Sequence, residues 1–195
     1  MVAGAVEGLA TSSEAAFWAD PASSTIQRFS EAGGTVADVA PSEGRVLAIG
    51  ASGDSVAWAA YPPSETSADV WLVSQGGAPV LVAADAGLVL TIGVSSDAVV
   101  WTTMDGALFR LDTTSGSQPA SLLDSGVLDI AVASDGVYVA RVEPDSGGST
   151  IEHIPTGSTT STSLATVEEL ILQIAVDSTH VYWADADRVV RIPIE

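Results

Sequence analysis

The chain reads as an all-β protein, a β-propeller of about five four-stranded blades whose last blade lacks its own outer strand. Two observations predict this. A tryptophan position recurs at Trp18, Trp58, Trp101, Val139 and Trp183, at intervals of 40, 43, 38 and 44 residues. A period near forty with β-branched residues and turns between is the spacing of four-stranded propeller blades. In addition, no stretch longer than a turn carries the 3.6-residue apolar stripe of an amphipathic helix.

The five units read alike. Each opens with an apolar residue followed by a small one: Leu9–Ala10, Ile49–Gly50, Ile92–Gly93, Ile130–Ala131 and Ile174–Ala175. This is the expected inner strand, where strands converge and a larger side chain would collide with its neighbour. A polar turn leads to a second strand that carries the tryptophan position. The third strands are "TIQRF", "VWLV", "ALFRL", "TIEHI" and "RVVRI". The outer strands are "TVADVA", "PVLVAA", "PASLL" and "TSLAT". The blades then span about 7–40, 46–84, 89–123, 127–166 and 171–195 of a single domain. The fifth has no outer strand of its own. Residues 1–6 are a short candidate to complete it; the alternatives are that the edge pairs with another chain or that the chain is a segment of a longer propeller.

"FWAD" at 17–20 and "YWAD" at 182–185 resemble the Tyr-Trp-Thr-Asp repeats of low-density-lipoprotein-receptor-type propellers and related bacterial extracellular repeats. The likeness is good in the first and fifth units. "AWAAY" and "VWTTM" keep only the tryptophan, and "VYVAR" loses it. Those receptor propellers have six blades, so their closure does not transfer. The resemblance implies a fold and a habit of binding, with an extracellular or periplasmic setting weakly favoured, and no reaction.

Composition narrows the partners. Twenty-five acidic residues stand against six bases, a formal net charge of −19, and all six bases are arginine. Such a surface repels phosphate backbones and anionic membranes, so nucleic acid is excluded as a partner. No run is apolar and long enough to span a bilayer, so membrane insertion is not expected. Cysteine is absent, which removes disulfides and thiolate chemistry.

No catalytic signature stands out. The two histidines, His153 and His180, lie in different strand contexts, and no Gly-x-Ser-x-Gly elbow occurs. The expected function is therefore a non-catalytic scaffold or binding module for a protein or glycan. One alternative is a carboxylate-dependent glycosidase or lyase carried on a propeller. Another is a designed or excised propeller fragment without activity of its own, and self-association through the open last blade fits either.

The candidate binding residues lie in and near the loops between second and third strands, which propellers vary on one face. They are Tyr61, Glu65, Asp105, Glu143 and Asp145, joined by Trp71, which falls outside the repeating tryptophan position. Four carboxylates recur four residues before the tryptophan position: Glu14, Asp54, Asp97 and Asp135, with Thr179 completing the series. Arrayed on one rim they could hold calcium, a hard cation that takes oxygen ligands. The competing reading is that an acid in a tight turn bonds its own backbone. No other cofactor is implied. The recurring tryptophans read as core between blades. The basic residues of the third strands, Arg28, Arg110, His153 and Arg191, read as partners for acids on neighbouring strands.

Overall fold

The computed structural model describes residues 7–63, 66–74, 76–114, 118–144 and 146–194. Every regular element among them is a strand, and the strands follow chain order into antiparallel sheets. The first sheet holds β1 (Glu7–Thr11), β2 (Ala15–Asp20), β3 (Thr25–Ser30) and β4 (Thr35–Pro41). The second holds β5 (Arg45–Ser52), β6 (Ser55–Tyr61), β7 (Asp69–Val73) and β8 (Val80–Ala83). The third holds β9 (Val89–Val94), β10 (Ala98–Thr103), β11 (Leu108–Asp112) and β12 (Ala120–Leu123). The fourth holds β13 (Val127–Ala133), β14 (Gly136–Val142), β15 (Ser149–Pro155) and β16 (Thr162–Val167). The fifth has three described strands, β17 (Gln173–Val176), β18 (His180–Ala184) and β19 (Val189–Pro193). The repeated four-stranded sheets predicted from the forty-residue period are thus present.

The chain divides into two compact units. Unit 1 comprises 1–104 with 110–119, and unit 2 comprises 105–109 with 120–195. The division falls within the third sheet.

In unit 1 the first two sheets face each other through one apolar cluster. Phe17 and Ala19 of β2 meet Val46, Val56, Trp58 and Ala60 of the second sheet. Trp58 is fully buried, and its indole N–H donates to the Ser42 carbonyl at 3.1 Å. The strands β5 and β9 also approach closely. A Cβ on Gly50 would sit 2.4 Å from the carbonyl oxygen of Ile92, so only glycine fits there. This is the physical content of the small residue that the sequence places after Ile49.

Unit 2 repeats the interface. Tyr138 and Ala140 of β14 pack with Ile151 of β15 against Ile174, Val181 and Trp183 of the fifth sheet. In both units the residue before the tryptophan position, Phe17 or Tyr138, meets the next sheet's tryptophan. The repeat therefore encodes both sides of each interface.

A second regularity lies in the first strands. Pairing shifts by one residue at Leu47 in β5, at Leu90 in β9 and at Leu128 in β13, each a β-bulge. In β1 the shift falls at Gly8. Leu47 and Leu90 are left about half exposed, at 47% and 52%. The bulges carry a motif of their own in "VLAIG", "VLTIG" and "VLDIA", echoed by "ILQIA" at 171–175.

Candidate ligand-binding site

The sequence-derived candidates fall in different surroundings. Tyr61 closes β6 as a buried side chain. Its hydroxyl accepts from the Val89 N–H at 2.7 Å and donates to the Val89 carbonyl at 3.2 Å. Burial raises its phenol above the ordinary tyrosine value, with the Val89 contact opposing. Trp71 stands across from Trp58 in the β6–β7 ladder and packs half-buried on the unit 1 cluster. Its indole nitrogen is shut off from water without a hydrogen-bond partner among the described residues. Asp105 is exposed in the turn between β10 and β11. Glu143 follows β14, and its backbone closes the loop there through Gly147 and Gly148, each at 2.9 Å. Glu65 and Asp145 lie outside the described residues.

The four repeated turn acids have four different surroundings. Glu14 is exposed, and its backbone N–H donates to Ser12 Oγ at 3.2 Å. Asp54 pairs with Arg28, which projects from β3 and also lies 5.8 Å above the Phe17 ring. Asp97 accepts from Ser95 Oγ at 2.7 Å. Asp135 accepts from the Tyr138 hydroxyl at 2.8 Å. Among the described residues no three acids or histidines gather as a metal ion would need. In the fifth sheet the turn carboxylate is Asp177, two residues before the Thr179 of the series. It accepts the Thr179 and His180 N–H groups and the Thr179 and Tyr182 hydroxyls. Those bonds, the Tyr182 hydroxyl first, hold its carboxyl well below the usual range.

Two of the basic third-strand residues bond acids, one in a turn and one in its own strand. Arg28 reaches Asp54 in the second sheet's first turn, while Arg110 bonds Asp112 of its own strand at 2.6 Å. His153 stacks on Tyr138, its cross-strand partner, with ring centroids 4.5 Å apart and planes 18° from parallel. Its Nε2 lies 3.7 Å from Asp135 Oδ2, too far for a hydrogen bond.

Each unit carries a cavity. In unit 1 a cleft of about 290 Å³ opens where Asp20, Pro21 and Pro63 meet Gly44 and Arg45. Pro21 and Pro63 belong to loops between second and third strands, the face favoured from sequence. The cleft's charges are partly spent: Arg45 lies 3.8 Å from Glu7, and Asp20 accepts from Ala22 N and Ser23 Oγ.

In unit 2 a groove of about 480 Å³ runs between Thr162, Ser163 and Leu164 of β16 and Ile192, Pro193 and Ile194 at the end of β19. Asp135, Tyr138 and His153 form its polar pole. This volume lies within the range of about 300–1,000 Å³ usual for ligand pockets. Tyr138 is 1% exposed, and burial first, then the Asp135 carboxylate it donates to, push its phenol far above the ordinary value. Tyr138 therefore stays a donor to Asp135. Sequence reasoning named Asp135 but not Tyr138 or the β16 and β19 residues. The signal for Tyr138 is its place beside the tryptophan position, where the fifth unit has Tyr182 over Asp177.

No family model matches the chain, and no curated protein matches it. Solved structures do. A chain of the nidogen/laminin complex is similar over 98% of this chain and 76% of its own, with a TM-score of 0.65 and 14% identity. Human WBSCR16 is similar over 99% of this chain and 63% of its own, with a TM-score of 0.69 and 14% identity. The computationally designed Ika4 protein is similar over 78% of this chain and 93% of its own, with a TM-score of 0.55 and 15% identity. At such identities the likeness bears on fold alone, and together with the repeated antiparallel sheets it supports a β-propeller.

Proposed function

We propose that this chain is a non-catalytic binding or scaffold module of propeller type, its five sheets serving as blades of Tyr-Trp-Thr-Asp-like repeats. The repeated framework supports the reading, since its interfaces are apolar and its turn acids are largely engaged within the fold. The observation that carries it is the unit 2 groove, where the Asp135 carboxylate borders a cavity of about 480 Å³ walled by apolar and hydroxyl side chains. A pocket with one polar pole and an apolar wall orients a ligand by its polar end. The partner is a protein or a glycan, and the outer edge of β19, unpaired among the described residues, is the seat of self-association.

The test is a binding screen of the immobilised chain against glycan and peptide libraries, with every retained ligand recovered and analysed. Saturable binding of unaltered ligand is the expected result. Recovery of a cleaved glycan would overturn the non-catalytic reading.

A further inference from the structure

The turn acids differ in one respect that bears on recognition. Asp54 has its negative charge met by Arg28. Asp135, at the equivalent turn of the fourth sheet, pairs with no arginine among the described residues. Its nearest base is His153, whose Nε2 faces it at 3.7 Å without a hydrogen bond. Its one hydrogen bond comes from Tyr138, a neutral donor to Oδ2, and Oδ1 accepts none among the described residues. The Asp135 side chain is 47% exposed at the groove. An uncompensated carboxylate half-open to a cavity in so acidic a chain attracts cations.

The groove walls narrow the cation further. Leu164 is 41% exposed, and Ile192, Pro193 and Ile194 face it from the fifth sheet. A hydrated metal ion gains nothing from such walls. A long side chain with an apolar stem and a charged head gains from both. The hydroxyls of Thr162 and Ser163 at the rim can accept the remaining N–H groups.

We propose that this groove receives a basic side chain of a protein partner, an arginine or lysine whose head group lies against Asp135 and whose methylenes lie along Leu164 and Ile192. The site rests on the reading of the chain as a binding module, and it names that module's anchor chemistry. A guanidinium gains most, because it can bond the carboxylate and a rim hydroxyl at once.

The test uses amide NMR with the capped tripeptide acetyl-Leu-Arg-Leu-amide, its citrulline counterpart of nearly the same shape without the charge, and its glutamate counterpart. The arginine peptide is expected to shift the amides of Asp135, Thr162 to Leu164 and Ile192. The citrulline and glutamate peptides are expected to leave them in place. Asp135→Asn should weaken the arginine peptide about tenfold or more, the loss of one charge-assisted hydrogen bond. Asp124→Asn, an exposed acid away from the groove, should not. Thr162→Arg offers the groove a guanidinium from its own rim and should abolish binding with the spectrum still dispersed, which keeps the test valid if Asp135→Asn fails to fold. Equal binding of the citrulline peptide, or undiminished binding by Thr162→Arg, would overturn the proposal. Shifts confined to the unit 1 cleft would overturn this site and leave the binding-module reading standing.

Discussion

The Tyr61 hydroxyl holds both backbone groups of Val89, the N–H at 2.7 Å and the carbonyl at 3.2 Å, across 28 residues of chain. One side chain from the end of β6 thereby satisfies the start of β9. Tyr61→Phe keeps the ring and leaves a buried N–H without its acceptor. The expected cost is about 1–3 kcal/mol, read from chemical denaturation. An unchanged midpoint would show that water replaces the phenol.

Gly50 tests the close approach of β5 and β9. An alanine would place Cβ 2.4 Å from the Ile92 carbonyl, and backbone cannot swing away as a side chain can. Gly50→Ala should destabilise by about 1–3 kcal/mol, as overpacking does. Gly53→Ala is the contrast, because a Cβ there meets nothing within 4 Å and only its left-handed φ of 53° opposes it. The smaller loss is expected at Gly53.

Trp183 closes the unit 2 interface with Ile174 and Val181. Trp183→Ala should cost about 3–5 kcal/mol, and Trp183→Phe clearly less. Its indole nitrogen has no hydrogen-bond partner among the described residues, so phenylalanine loses volume but no polar contact. Equal losses in the two variants would mean that ring shape, not cavity volume, decides.

Alkaline pH should unfold the chain through its buried phenols. Burial raises both Tyr61 and Tyr138 above their unfolded value. A group whose folded value is raised contributes stability that is full below the unfolded value, about 10, and is lost as pH rises beyond it. Tyrosinate absorbance for these two rings should therefore grow in step with loss of the β-sheet signal. Ionisation of either ring in a chain that remains folded would contradict the burial.

Asp129 follows the same sign in the carboxylate range. Its carboxylate accepts from the Ile174 N–H at 3.0 Å, and burial raises its value despite that bond. Its contribution is fullest below the unfolded carboxylate value and declines as pH rises through the folded one. Asp129→Asn keeps an acceptor for Ile174 and removes the buried charge, so stability at neutral pH should rise. Asp177 works the other way. Its lowered value supplies stability above the unfolded carboxylate value, and that is lost as pH falls.

Much of the framework was legible because repetition makes weak signals add. The third strands read as "TIQRF", "ALFRL" and "RVVRI" lie within a residue or two of β3, β11 and β19. The small residue after Ile49 was read correctly as a contact between strands. The bulged leucines were present in the sequence as "VLAIG" and "VLTIG" yet went unread, since a bulge shows only once the pairing partner is known. The site was harder still. Asp54 and Asp135 occupy the same place in the repeat, and only the residue opposite decides whether the charge is met. That residue comes from β3 for Asp54 and from its own sheet for Asp135.

The contrast between Arg28 and His153 has a consequence for anyone recombining these repeats. The sheets share one chassis but not one wiring. An array built by copying β13–β16 would set Val139 where the native joint has Trp183, so each joint would stay apolar but lose the volume of an indole. It would also reproduce an unmet carboxylate at every joint, one beside each copy of His153. Copies of the first sheet would instead hand each arginine forward to whatever stands at position 54 of the next, which in its own sequence is Glu14. The order of the repeats is thus itself a piece of information, and shuffling them would rewrite the surface and, wherever Val139 stands in for a tryptophan, the core as well.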